Sequence, residues 1–315
     1  MDPQKRQRLD AEVQRLQDEI RMKRSRLPIG ESAVGAGLLL LIGLVLKVDL
    51  GAIFSLILAG GLYLGLQWVK PLWEANKKFK ALILPRVAEC LRPGLKYSSE
   101  GSLGSARFRE ADLFPGNYDF FYEEDEFRGE AKSVKFGLRE VRLIDERGSG
   151  KNRKRVKVFE GLCLNLDFPK RFHARTHVAP DRIEGLVGGY VGGLLQDLNK
   201  SFHDRKRVQL EHPEFEKQFI VTSTDQQEAR YLITPRMMEL MMEFRREFGD
   251  DVVFSFFDNH LYISFSFPPI HFSLQQLNRL DEVIFHMEHV LNVVDRVIEI
   301  LDLDNPIWKR SASSA

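Results

Sequence analysis

Hydrophobic positions along the chain change period three times, and each change marks a different kind of element. Between residues 3 and 26 apolar residues fall at Leu9, Val13, Leu16 and Ile20, in steps of four, three and four. That spacing predicts a helix with a short coiled-coil seam inside a basic segment, 1–28. From Ser32 to Val69 the sequence is almost continuously apolar: Ala33–Leu46 and Leu50–Val69 flank a polar pinch at Lys47 and Asp49. The second run carries no charge over 20 residues. At about 1.5 Å per residue it spans about 30 Å, the hydrocarbon thickness of a bilayer. Lys47 can reach the headgroups and lengthen the first run to about 17 residues. The expectation is a two-helix transmembrane hairpin over 32–69; the alternative is a buried hairpin of a soluble fold. Gly61 and Gly65, with Gly37 in the first run, permit close helix packing, within the hairpin or between copies.

After the hairpin the period changes to that of a mixed fold. Trp73, Phe79, Leu82, Ile83, Val87 and Leu91 predict a juxtamembrane helix over 70–92. Pro93-Gly94 and Pro115-Gly116 bound a loop-rich stretch, and strands dominate from 118. Val134, Phe136 and Leu138 alternate, then the phase changes at Arg139–Glu140 to Val141 and Leu143, suggesting a β-bulge. Val156, Val158, Leu162, Leu164, Leu166 and Phe168 read as one face of a strand, so 147–157 straddles a hairpin tip. A helix is expected from Asp181 to about Lys200, interrupted by glycines between Gly188 and Gly193. Asp225–Tyr231 reads as a short helical turn. Thr234-Pro235 predicts a capped helix ending near Gly249. Val252–Phe257 and His260–Phe267 predict a hairpin around Asp258-Asn259, with Tyr262, Ser264 and Ser266 on its wetter side. A last helix, opened by Ser273 and Gln276, carries Leu277, Leu280, Ile284, Met287, Leu291, Val294, Ile298 and Leu301. Its acidic column Asp281, Glu288, Asp295 and Asp302 would suit a basic helix such as residues 5–26. The tail, 311–315, is small and polar.

Composition narrows the picture without adding a chemistry. Lys+Arg number 46 and Asp+Glu 45 in 315 residues, so no global charge favours nucleic acid. Two distant cysteines, Cys90 and Cys163, suit a reducing compartment better than a disulfide framework. No signal peptide is visible ahead of the first apolar run. Eight cations precede the hairpin and five follow it closely, while its turn holds only Lys47. The positive-inside rule then places both termini in the cytoplasm.

The segments VFEGLCLNLDFPKRFHARTHVAPD (158–181), EHPEFEKQFIVTSTDQQEARYLITPRMMELMMEFRREFG (211–249) and LDLDNPIWKR (301–310) carry a resemblance. The chain resembles domain-of-unknown-function family 3137, an uncharacterised bacterial family. The resemblance implies a bacterial membrane protein with a basic N-terminal helix, paired membrane spans and a cytoplasmic α+β domain. It implies no activity and no catalytic residues.

Candidate chemistry is sparse. His173/His177 and His286/His289 lack a third ligand at metal spacing, and the glycine cluster 185–193 lacks a phosphate-loop pattern, so neither metal nor cofactor is expected. The basic run Arg147, Lys151, Arg153, Lys154, Arg155 and Lys157 is a candidate for lipid or partner contact, against a plain solvated tip. Asp225, Glu228 and Arg230 form a candidate polar cluster, against a cap or ion-pair network. Met237, Met238, Met241 and Met242 suit an adaptable groove or ordinary core.

The expected architecture is α+β, a mostly antiparallel sheet with packed helices over 93–310, tethered to the hairpin. The expected role is a membrane-anchored cytoplasmic interaction or regulatory module. Its expected partners are membrane lipids, an unknown protein, and further copies through residues 5–27 or the hairpin; nucleic acid is not expected. An enzyme of unrecognised type using 211–234 and an oligomerising membrane effector are the alternatives.

Overall fold

Alternation and turn chemistry build the sheet where residues 253–266 fold back. Val253–Phe257 and His260–Ser266 pair antiparallel across Asp258-Asn259, whose φ values of 52° and 59° are those of a two-residue primed turn. The computed structural model that shows this describes residues 4, 7, 10, 11, 13–15, 17–19, 22, 58, 73–114, 117–148, 150–168 (the backbone alone for Lys151), 170–181, 205–270, 272 and 280–303. The expected hairpin 32–69, apart from Leu58, lies outside them, as do Gly37, Gly61, Gly65, the helix after Asp181, the Ser273 cap and the tail. Among the described residues no helix is long and apolar enough to cross a membrane.

The chain divides into two units, 1–90 with 272–284 and 91–271 with 285–315. In the first, the described residues between 4 and 22 are helical and Val13 is buried. Glu19 pairs with Lys78 at 2.5 Å. Lys78 lies on a helix described from residue 73 onward, which widens into a π-turn at Phe79–Ile83 and continues as α1, Leu84–Leu91. Pro85 accounts for the widening, since it has no N–H to bond the preceding turn. The Leu84 N–H instead reaches back to the Phe79 carbonyl.

The second unit is a nine-stranded, all-antiparallel sheet. Its strands are β1 (Lys96–Glu100), β2 (Phe120–Ala131), β3 (Val134–Arg147), β4 (Lys154–Asp167), β5 (Thr176–Pro180), β6 (Lys206–Arg207), β7 (Phe219–Ser223), β8 (Val253–Phe257) and β9 (His260–Ser266). Their order is β1-β2-β3-β4-β9-β8-β5-β7-β6. The helices are α2 (Gly104–Glu110), α3 (Pro213–Glu216), α4 (Gln226–Leu232), α5 (Pro235–Phe248) and α6 (Leu280–Ile300), the last entering this unit at Phe285. This is the expected α+β architecture with a mostly antiparallel sheet.

Helix α5 begins as its sequence demands, with the Thr234 hydroxyl accepting from Met237 N at 3.2 Å and Pro235 in the first turn. Met237, Met238 and Met241 are buried, and Phe244 meets Phe254 and Phe265 edge-on, so α5 covers one sheet face. Arg296 of α6 reaches Glu247 of α5 at 2.8 Å. In the acidic column of α6, Asp295 takes Arg92 at 2.6 Å; the basic helix 5–26 suggested for that column lies mostly outside the described residues.

The other face is covered by α2 and the loop after it. Phe108, Ala111 and Leu113 pack there with Val141, Leu143, Phe159, Cys163, Phe257 and Tyr262. Tyr262 and Ser264, expected on a wetter side, are therefore buried, and Ser264 donates to the Leu113 carbonyl.

Two irregularities shape the β2–β3–β4 ladder. Glu124 pairs with Glu140 and Phe127 with Leu138, so Asp125 and Glu126 both stand opposite Arg139. The bulge suggested by the phase change exists, but the extra residue lies on the partner strand, β2. Leu143 pairs with Phe159 and Ile144 with Lys157, leaving Val158 unmatched. Val156 consequently faces away from Leu162, Leu164 and Leu166, correcting the single face read from the sequence. Farther along, a Cβ on Gly161 would overlap the Phe265 carbonyl oxygen of the paired strand, so backbone would have to move. Gly161→Ala is expected to cost about 2 kcal/mol in a denaturant titration, as overpacking does.

Candidate functional site

Two places in the sheet unit concentrate charge: the bulge at Arg139 and the far end of the β2–β3–β4 arm.

At the bulge, Arg139 is 3% exposed. Its Nη2 donates to Glu126 Oε1 at 2.8 Å and to Asn165 Oδ1 at 2.7 Å, and its Nε lies 3.2 Å from Glu123 Oε1. Ser102 donates to Glu126 at 3.0 Å. Glu123 also accepts from the backbone of Leu103 and Gly104 at 2.8 and 2.9 Å. Gly137 leaves room, since a Cβ there would lie 2.6 Å from Arg139 Nη2. Burial opposes the guanidinium charge, but Cys163, Glu126 and Glu123 outweigh it and hold the proton firmly. Cys163, directly opposite Arg139 in the ladder, is fully enclosed; burial pushes its thiol up to about 11 despite the neighbouring cation. Such a thiol is a poor nucleophile. Arg139 Nη1 is buried with no hydrogen-bond partner among the described residues. On the opposite side of the bulge, Tyr97 donates its hydroxyl to Asp125, and burial beside that carboxylate raises the phenol further.

Glu140 shares that side. Burial pushes its carboxyl up to about 7, helped by Asp125, Glu124 and Glu160 and opposed by the Ile270 N–H it accepts at 2.8 Å. Its ordinary value is 4.5, so between 4.5 and 7 the folded chain keeps a proton the unfolded chain releases. Stability therefore falls as pH rises through that window. Solvent screens this partly open side chain, leaving a penalty of about 1 kcal/mol above the window. Glu140→Gln keeps an acceptor for Ile270 and is expected to gain about 1 kcal/mol well above pH 7 and nothing below 4.5, read from denaturant midpoints.

The arm's end carries the basic run. Arg147 bonds Asp145 at 2.9 Å, while Arg153 and Arg155 share Glu146 at 2.8 and 3.0 Å. Lys157 bonds Glu160. Arg147 and Lys154 stand directly opposite each other in the ladder. Beside these cations β2 brings two rings: Phe120 and Tyr122 stack at 6.5 Å with 19° between planes. Arg155 lies 4.5 Å over Phe120 and Arg142 lies 5.2 Å over Tyr122. No aromatic is interleaved within the basic run 147–157; strand pairing brings Phe120 and Tyr122 beside it, and only the register of β2 against β3 could have revealed that.

The sequence-predicted polar cluster divides into three separate tasks. Asp225 caps α4, accepting from Gln227 N at 2.8 Å and Glu228 N at 3.1 Å. Glu228 clamps the backbone of His173 and Ala174. Arg230 donates to the carbonyls of Gln226 and Gln209, both at 3.3 Å. His177 sits in β5, 3% exposed, with Nε2 2.9 Å from the Asp112 carbonyl; burial lowers its pKa to about 4. Asp112 also takes Arg205, which burial brings down to about 10. His286 and His289 are exposed on α6. Among the described residues no group of His, Cys, Asp and Glu is arranged to hold a metal ion.

Residues 157–302 match the family model described as protein of unknown function (DUF3137), the family expected from the sequence. No curated protein matches the chain. A solved structure, the crystal structure of the mycobacterial trehalose monomycolate transport factor A, TtfA, aligns over 69% of this chain and 96% of its own, at 11% identity and a TM-score of 0.31.

Proposed function

We propose that the chain is a membrane-anchored interaction module: the hairpin 32–69 tethers it to the inner membrane of a bacterium, and the sheet unit works on the cytoplasmic side through contacts. The observation that carries the reading is the uncharged 20-residue run Leu50–Val69, long enough to span hydrocarbon. Other features support it. Leu58 within that run is helical and 66% exposed, which suits a side chain facing lipid. Trp73, just after the hairpin, is also 66% exposed with Lys77 over its ring at 5.8 Å, the pairing of aromatic and cation found at membrane interfaces. In the sheet unit, four side chains of catalytic type are committed to structure: Asp225 to a cap, Glu228 to a loop, His177 to a carbonyl, Cys163 to the core. Oligomerisation through residues 5–27 or through Gly37, Gly61 and Gly65 belongs to the same proposal, as does a protein partner.

Washing membranes of cells that express the full chain with alkaline carbonate tests the anchor. The chain is expected to stay in the pellet and to enter solution only with detergent. Release by carbonate would overturn the proposal. Protease added outside intact cells is expected to leave residues 93–310 whole.

A further inference from the structure

We infer that the end of the β2–β3–β4 arm docks on the anionic headgroups of a phospholipid surface; the inference rests on the anchoring proposed above and names what the sheet unit touches. Over residues 145–160 the sequence places six cations against three carboxylates. Each carboxylate is already engaged: Asp145 by Arg147, Glu146 by Arg153 and Arg155 together, Glu160 by Lys157. The surplus positive charge faces solvent, with the Arg153 and Arg155 side chains 65% and 60% exposed. Lys154, exposed on the same stretch, stands directly opposite Arg147 in the ladder and adds to the positive charge there.

The rings choose among anions. Phe120 and Tyr122 run nearly parallel with centroids 6.5 Å apart and a guanidinium over each, so the rings and these cations share one end of the arm. Tyr122 is 36% exposed. Aromatic rims mixed with cations match a lipid–water boundary, where rings settle at headgroup depth and each cation gains from the anionic surface. Nucleic acid would need rings presented face-on for base stacking, and here arginines cover the faces. A tethered chain also meets the bilayer at high effective concentration, so weak contacts suffice.

The test uses the full chain in nanodiscs of phosphatidylcholine, alone or with one third phosphatidylglycerol. Hydrogen exchange of amides 144–157 is the readout. Exchange is expected to slow about ten-fold in the anionic discs only, and the slowing should vanish in the double variant Arg153→Glu, Arg155→Glu and in molar salt. Both substitutions are at exposed positions, and unchanged exchange across β8 and β9 will show that the variant folds. Equal exchange in the two lipids overturns the inference and leaves the anchor standing. Slowing by added DNA or an acidic polypeptide in neutral discs, without slowing by phosphatidylglycerol, overturns it in favour of another partner. Failure to enter either disc refutes the anchor instead. The tip is then read by pelleting with anionic vesicles: binding weakened about a hundred-fold by the double variant supports the inference, and absence of pelleting overturns it.

Discussion

Arg139→Met is expected to destabilise the sheet unit by about 3–5 kcal/mol, the cost of removing one partner from a buried ionic group. Glu126, 2% exposed, would keep its charge against Ser102 and the half-exposed Arg128, which donates to it at 2.9 Å. Glu123 would lose the Arg139 guanidinium while still receiving two backbone N–H groups. Methionine fills most of the vacated volume, so the loss measures charge rather than cavity. In a unit of this size the thermal midpoint should fall by about 10 °C. Adding Glu126→Gln to Arg139→Met removes the stranded charge and should recover a good part of the loss. A loss below about 1 kcal/mol for the single change, or no recovery in the double, would show that the network contributes little. The unpartnered Nη1 of Arg139 makes recovery easier, because the wild-type network is itself incompletely satisfied.

The second large effect is on acid stability. His177 titrates at about 4 in the folded chain against 6.5 when unfolded, because burial disfavours the imidazolium. Below 6.5 the unfolded chain takes up a proton that the folded chain refuses until about 4. Stability is therefore full above 6.5 and falls as pH drops towards 4, by about 3 kcal/mol in all. His177→Gln retains an N–H that can reach the Asp112 carbonyl and does not titrate. In the Glu140→Gln background this variant is expected to unfold at a nearly constant denaturant midpoint across that window, whereas the same background with His177 intact drops steadily. Parallel pH profiles for the two chains would place the titrating group elsewhere. Glu140 works in the opposite direction over an overlapping range, so the Glu140→Gln background sharpens the His177 profile.

What the sequence disclosed and what it hid follow from range. The β8–β9 hairpin, the Thr234 cap and the Asp225 cap are local, set by residues two to three apart, and all three are legible from residue type and spacing. Strand β5 was not legible. Thr176–Pro180 reads as a basic, proline-flanked stretch with a histidine, yet it lies between β8 and β7 with every residue buried. Its partners sit about 40 residues or more later, and every one of its residues is buried, so alternation carries no sign. The charged core was equally hidden. Arg139 and Glu140 appear as a polar interruption in a strand, and the phase change marks the site, but nothing local says that β2 supplies the extra residue or that Glu123 and Glu126 meet the guanidinium. The arm's end was half visible: six cations stand out in sequence, while Phe120 and Tyr122 arrive from about 30 residues upstream through pairing alone.

The doubled position on β2 sets a reading frame for the arm. In a strand, side is decided by counting, and Asp125 with Glu126 adds one to the count. Deleting either residue would restore plain alternation and reverse every side chain from Phe120 to Glu124. Phe121 would leave the cluster around Phe108, Glu123 would turn away from Arg139, and Phe120 and Tyr122 would turn inward from their arginines. Single-residue length changes between 120 and 126 should therefore be far less tolerated than substitutions at the same places.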